Sequence, residues 1–285
     1  MRTFRRIGAT LSALLLSLTL PTTPSAQAAA TDFTGTAVAG GCSGSLVRAP
    51  ATTADDKALV LTNGHCYEGA WPVPDEALVD QPSHLLIDLL GREGEPAVTL
   101  HAARAVYVTM TGTDIALYRL ETTYRQLERD HRLRPLTMST DRPAPGTDIR
   151  VISAGTKKIF SCGIDTLVYR VLEVGYMTKD VIRYTPRCDT GPGTSGSPIV
   201  DAGSGKVVGI NNTSNRDGRR CTLDNPCEMN RDGAVSVRKG ASYGTQTYQL
   251  AACVAAGNEL DLERPGCTLP RPGTRSADPH TAPDA

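Results

Sequence analysis

The chain has 285 residues, 40% hydrophobic and 21% charged, with 30 Lys+Arg against 30 Asp+Glu. That balance excludes a protein that holds nucleic acid by a basic surface. Its 27 glycines, 19 prolines and 8 cysteines describe a turn-rich chain built for an oxidising compartment.

The first element is a leader. Arg2, Arg5 and Arg6 precede an apolar run from Leu11 to Leu20, followed by Pro21 and small residues ending in Ala26-Gln27-Ala28 and Ala28-Ala29-Ala30. A basic start, a short apolar run and a small-residue cleavage site make a secretory signal peptide, here 1–28. The run is too short to cross a bilayer, and no later segment approaches the roughly 20 apolar residues a spanning helix needs. The expected product is therefore extracellular, with no membrane partner. Removing the leader leaves 257 residues with 27 basic and 30 acidic side chains, a net charge of −3. That length is close to the point where one core gives way to two, so two lobes are expected.

Segments rich in Val, Ile, Leu, Thr and Tyr then recur between Gly and Pro. They run from Ser45 to Val47, Ala58 to Thr62, Leu85 to Leu90, Ala105 to Met110, Ile115 to Leu120, Ile149 to Ser153, Leu167 to Val174, Val181 to Tyr184, Pro198 to Asp201 and Val207 to Asn211. Ten short strands with turns between them predict an all-β protein of barrels or a sandwich. The charged stretch from Glu121 to Arg134, followed by Pro135, Pro143 and Pro145, is read as the connection between lobes at 29–134 and 135–267. Residues 268–285 hold four prolines and one large aliphatic side chain, and are expected to form a flexible tail. No internal repeat is visible in the sequence.

Eight cysteines in an exported chain predict four disulfides, for which sequence alone permits 105 pairings. No C-x-x-C pair occurs, which argues against zinc.

Three segments carry chemistry, in this order: Leu61-Thr-Asn-Gly-His65-Cys66, Gly112-Thr-Asp114-Ile-Ala-Leu117 and Gly193-Thr-Ser195-Gly-Ser-Pro198. Each has an ordinary reading: a structural histidine, a strand-end aspartate and a glycine-rich turn. Together they supply what a serine nucleophile needs, namely a histidine to take its proton and a carboxylate to hold the imidazole. The glycines around Ser195 suggest a turn that converges the amides of Gly193 and Ser195 into an oxyanion hole. No metal or organic cofactor is required. Asp88, in Leu85-Leu-Ile-Asp-Leu-Leu90, is the other acid considered for the triad. His84, His101, His131 and His280 have no motif beside them.

This order and these motifs resemble the trypsin/chymotrypsin superfamily in its bacterial, V8-like (glutamyl endopeptidase-like) branch. The resemblance spans roughly Gly40 to Leu250. It implies a fold of two Greek-key six-stranded β-barrels with the active site between them. It also implies His65 as general base, Asp114 as orienting acid, Ser195 as nucleophile, and polypeptide substrates cut by a monomer. It further implies a Cys42–Cys66 bridge; Cys162–Cys188, Cys221–Cys227 and Cys253–Cys267 are then paired by proximity in the sequence.

Thr194 stands where many animal members carry the acid that captures a freed N-terminus, so no such latch is expected. Asp189, six residues before Ser195, is where a trypsin-like enzyme binds Arg or Lys, and Thr190 follows it. Asn211 follows Gly209-Ile210, where Glu-specific members have histidine. A basic or broad preference at P1, the residue whose carbonyl is attacked, is therefore expected. Two alternatives use the same residues. An esterase or lipase is disfavoured because Gly193-Thr-Ser-Gly-Ser197 lacks the final Gly of a nucleophile elbow and the histidine comes first. A catalytically dead binding module is disfavoured because all three catalytic types are present.

Overall fold

The structure is a computed structural model that describes residues 32–273. The expected signal peptide lies outside the described residues. The first half forms β1 (Thr36–Ala39), β2 (Cys42–Arg48), β3 (Lys57–Thr62), β4 (Ala77–Pro82), β5 (Leu86–Leu90), β6 (Pro96–Thr109), β7 (Ile115–Thr123) and β8 (Leu136–Thr137). The second half forms β9 (Asp148–Ser153), β10 (Lys158–Glu173), β11 (Tyr176–Tyr184), β12 (Pro198–Asp201), β13 (Val207–Ser214), β14 (Cys227–Met229), β15 (Val235–Val237) and β16 (Ser242–Gln246).

In the first sheet the path β1-β5-β6-β7-β3-β2 closes on itself because β1 also pairs with β2. In the second, β10-β11-β16-β13-β12-β9 closes because β9 pairs with β10. Renumbered within each ring, both run 1-2-3-6-5-4 around the barrel. Closure removes the exposed strand edges that an open sheet would leave. The all-β two-barrel fold is thus as expected.

Strand β3 explains how the first barrel is held. Ala58 and Val60 point into the barrel with Tyr118 and Leu120 of β7. Leu59 and Leu61, one residue out of phase, join Ile115, Leu117, Leu250 and Ala251 on the opposite face. The period-2 alternation of a strand puts the two sets on opposite sides, and here both are buried. The outer side is covered by α2 (Tyr248–Cys253), which follows the second barrel in sequence and packs on the first. The second barrel fills with Ile149, Val151, Ile164, Ile182, Tyr184 and Ile199.

The charged stretch after β7 folds as α1 (Tyr124–His131). Thr123 and Gln126 form a capping box at its start, satisfying backbone donors that the helix leaves free. Buried Tyr124 donates its hydroxyl hydrogen to the Val47 carbonyl at 2.5 Å. Four disulfides join Cys42–Cys66, Cys162–Cys188, Cys221–Cys227 and Cys253–Cys267.

The region expected to be a tail differs at its start. Leu269 is buried in the cluster between first barrel and α2, and Tyr107 donates to the Pro270 carbonyl at 2.7 Å. Leu269 and the Pro270 carbonyl thus tie the start of this segment to the first barrel. Among the described residues, no helix is long and apolar enough to cross a membrane.

Candidate active site

His65 lies in a single turn of 3-10 helix, Gly64–Cys66, at the end of β3. Asp114 precedes β7, the strand hydrogen-bonded to β3, so the sheet brings the two together across 49 residues. The His65 Nδ1 lies 2.7 Å from Asp114 Oδ2, and the His65 amide donates to Asp114 Oδ1 at 3.0 Å. Asn63 donates its side-chain amide to the Asp114 carbonyl at 2.9 Å. Both carboxylate oxygens are thus occupied by one residue, which sets ring orientation and distance together. A Cβ on Gly64 would sit 2.1 Å from the Thr109 carbonyl and 2.8 Å from Asp114 Oδ1, so this approach requires glycine. Burial pushes the His65 imidazole down, but the charge and hydrogen bond of Asp114, together with the charges of Glu173 and Asp224, outweigh it and leave His65 above its ordinary value of 6.5.

The loop after His65 is pinned at two further points. Trp71 donates its indole hydrogen to the His65 carbonyl at 2.9 Å, and its ring meets His65 and Tyr176 edge-on at 6.4 and 6.2 Å. Glu68 accepts from Tyr118 at 2.5 Å and from the Ser83 hydroxyl. The Cys42–Cys66 disulfide ties the same turn to β2. Its sulfurs lie near His65 but are bonded to each other, so they offer no thiolates to a metal.

Ser195 sits in a tight turn leading into β12. The Thr194 amide donates to the Gly191 carbonyl at 3.1 Å, and that of Ser197 to Thr194 at 3.1 Å. Strand β2 of the first barrel supports the turn, with the Ser43 amide donating to the Ser195 carbonyl at 2.8 Å. Gly193 and Gly196 have φ of +81° and +77°. At Gly196 a Cβ would fall 2.0 Å from the Ser43 carbonyl oxygen. The amides of Gly193 and Ser195 donate to no other backbone group among the described residues. The Ser195 hydroxyl donates to the Asn212 carbonyl at 3.3 Å, and no hydrogen bond joins it to His65 among the described residues.

His65, Asp114 and Ser195 line one cavity of about 260 Å³. A second, smaller recess shares Ser195, Asn212, Thr213 and Asp224 with it and is otherwise walled by Thr190, Gly191, Ser214 and Arg216. Thr190 is buried, and its hydroxyl has no hydrogen-bond partner among the described residues. Asp189 is exposed and lines an outer hollow rather than the cavity of His65, so the buried acid that a trypsin-like basic pocket needs is not at this position. Asn211 is buried, its amide nitrogen donating to Thr194 and its oxygen accepting from Tyr184 at 3.1 Å. It braces the serine turn. Asp88 accepts from Thr99 at 2.6 Å on the far strand β5, away from the histidine.

Sequence reasoning missed Glu173, Trp71, Tyr176 and Asp224, which also line the His65 cavity. Glu173 ends β10, and burial raises its carboxyl to about 7, opposed by hydrogen bonds from Thr213 and the Asp224 amide. Nothing local in Leu172-Glu173-Val174 marks a site residue.

Two closed β-barrels with a histidine–aspartate couple and a serine turn on one cavity define a chymotrypsin-type hydrolase architecture. Residues 34–210 match the trypsin-like peptidase domain family, and the chain belongs to it. The match contains His65, Asp114 and Ser195. Among solved structures, the chain is similar to the MamO protease domain from Magnetospirillum magneticum, at 15% identity and a TM-score of 0.47. That alignment covers 77% of this chain and 95% of that one. It is also similar to the HtrA-type protease AlgWS227A with tripeptide, at 16% identity and a TM-score of 0.42, covering 78% and 59%. No curated protein sequence matches it.

Proposed function

We propose that the chain is a secreted serine endopeptidase of the V8-like branch, active as a monomer on polypeptides. Its 29–134 lobe supplies His65 and Asp114 and its 135–267 lobe supplies Ser195. The observation that carries this reading is the 2.7 Å His65–Asp114 bond on the same cavity as Ser195. Asp114 holds the Nδ1 proton, which leaves Nε2 as the base. Rotation of the Ser195 hydroxyl away from Asn212 delivers its proton to Nε2 as the oxygen attacks the scissile carbonyl. The amides of Gly193 and Ser195 then receive the oxyanion, each typically worth about 3–4 kcal/mol of barrier. The imidazolium returns its proton to the leaving amine, and water repeats the sequence on the acyl-enzyme.

The P1 preference in this reading is broad and polar. The recess beside buried Thr190 carries charges of both signs, Arg216 and Asp224. The test is labelling by a fluorophosphonate followed by mass spectrometry of the intact protein and its peptides. One adduct on Ser195 is expected, with Ser195→Ala unlabelled and about 10⁶ lower in kcat on peptides. Labelling elsewhere, or turnover that survives Ser195→Ala, overturns the reading.

A further inference from the structure

The cavity that holds His65 has a composition unlike the recess around Thr190. Of the six large apolar side chains most exposed among the described residues, three line it: Trp71 at 43%, Val174 at 46% and Leu223 at 60%. Single exposed apolar residues are ordinary, but three converging on one hollow beside a nucleophile form a surface awaiting an apolar partner. Val174 is a β-branched residue at φ +49°, in the turn joining β10 to β11, where asparagine or glycine is at ease. The chain thus displays an apolar group at the rim despite an unfavourable backbone.

The cavity wall also carries acidic side chains. Glu173 is partly buried there, held by the Asp224 amide at 2.7 Å, and the Asp224 side chain lines the same space. Among the described residues, no arginine or lysine lines this cavity. A carboxylate enclosed by an apolar collar matches one kind of side chain, a long aliphatic stem ending in a cation.

We propose that this cavity is a specificity subsite for lysine or arginine on the acyl side of the scissile bond, at a position other than P1, with Glu173 as its recognition residue. This rests on the endopeptidase reading. Thr213 and Asn212 of β13 line both this cavity and the Thr190 recess, so a substrate lying along β13 past Ser195 places two different side chains in them. The stem lies against Trp71, Val174 and Leu223, and the ammonium or guanidinium reaches Glu173. The groups facing Glu173 are His65, Asp114 and Asp224, with the Thr213 hydroxyl. A substrate cation therefore also offsets the negative field around the catalytic imidazole.

The test uses quenched-fluorescence peptides that differ at one acyl-side position, carrying lysine or norleucine, which share a stem and differ in charge. The full mature protein should cleave the lysine peptide with at least tenfold higher kcat/KM at pH 8. The ratio should shrink toward one at pH 5.5 as Glu173 takes up a proton. Because the ratio divides out the titration of His65, only groups that sense the substrate charge remain in it. In Glu173→Gln the ratio should fall to within about twofold at every pH. Ratios near one in the unaltered protein at all acyl-side positions, or a lysine preference retained by Glu173→Gln, overturn the proposal. Should Glu173→Gln fail to fold, the pH dependence of the ratio in the unaltered protein decides alone. Failure of the endopeptidase reading looks different: neither peptide is cleaved and Ser195 takes no fluorophosphonate.

Discussion

Replacing Asp114 by asparagine changes one atom and separates the roles of this carboxylate. Asp114 accepts from both the His65 ring at 2.7 Å and the His65 amide at 3.0 Å. Asparagine can keep the second bond through its oxygen, and its NH₂ group then faces Nδ1. Two donors cannot share that bond, and Asp114 is only 4% exposed, so water cannot intervene. The ring must therefore move its proton to Nε2, the atom that has to accept from Ser195. The expected loss in kcat is about 10⁴, or roughly 5.4 kcal/mol of barrier.

A second signature has its own sign. In the unaltered protein the Asp114 charge and hydrogen bond, with smaller contributions from the charges of Glu173 and Asp224, hold His65 above 6.5 against burial. Removing them leaves burial to act downward, so the acid limb of kcat/KM should shift to lower pH while the plateau falls. Stability follows the same linkage. A raised histidine contributes stability that is full below pH 6.5 and is lost as pH rises through its folded-state value. The Tm gap between the unaltered protein and Asp114→Asn should therefore be widest near pH 5.5 and narrow by pH 8.5. The assay is peptide hydrolysis from pH 5 to 9 alongside thermal denaturation at the two ends. A plateau loss below tenfold, or an acid limb moved to higher pH, refutes the argument. Asp88→Asn is the control and should stay within about twofold.

Two further outcomes test the frame around the triad. Gly196→Ala drives a Cβ to 2.0 Å from the Ser43 carbonyl and 2.2 Å from the Thr62 hydroxyl at φ +77°, so it should cost about 2–4 kcal/mol in denaturant unfolding and abolish turnover. Cys42→Ser with Cys66→Ser opens a loop of sequence separation 24, and should cost about 3–4 kcal/mol by the same measurement, with activity retained at low temperature.

Much of the site was legible in the chain because triad chemistry needs particular side-chain types beside small residues that let backbones approach. Gly64 before His65 and Gly196 after Ser195 are each demanded by a contact that any Cβ would block. Short runs rich in Val, Ile, Leu, Thr and Tyr likewise exposed β3, β7 and β12, whose side chains pack into the barrels. Strand β16, Ser242–Gln246, escaped because Ser-Tyr-Gly-Thr-Gln has no apolar alternation, yet every one of its residues is buried. It closes the second barrel through backbone pairing with β11 and β13, and a Cβ on Gly244 would meet Ile199 at 2.3 Å.

The sequence alone determined the all-β class and the residue types able to perform acyl transfer, since these follow from local pattern and from side-chain chemistry. The tertiary structure alone decided the common strand order of the two barrels, the docking of Leu269, the bracing role of Asn211 and the placing of Glu173 beside His65. Strand pairing and burial join positions far apart in the chain, and no local signal in a chain reports which distant residue will arrive next to it.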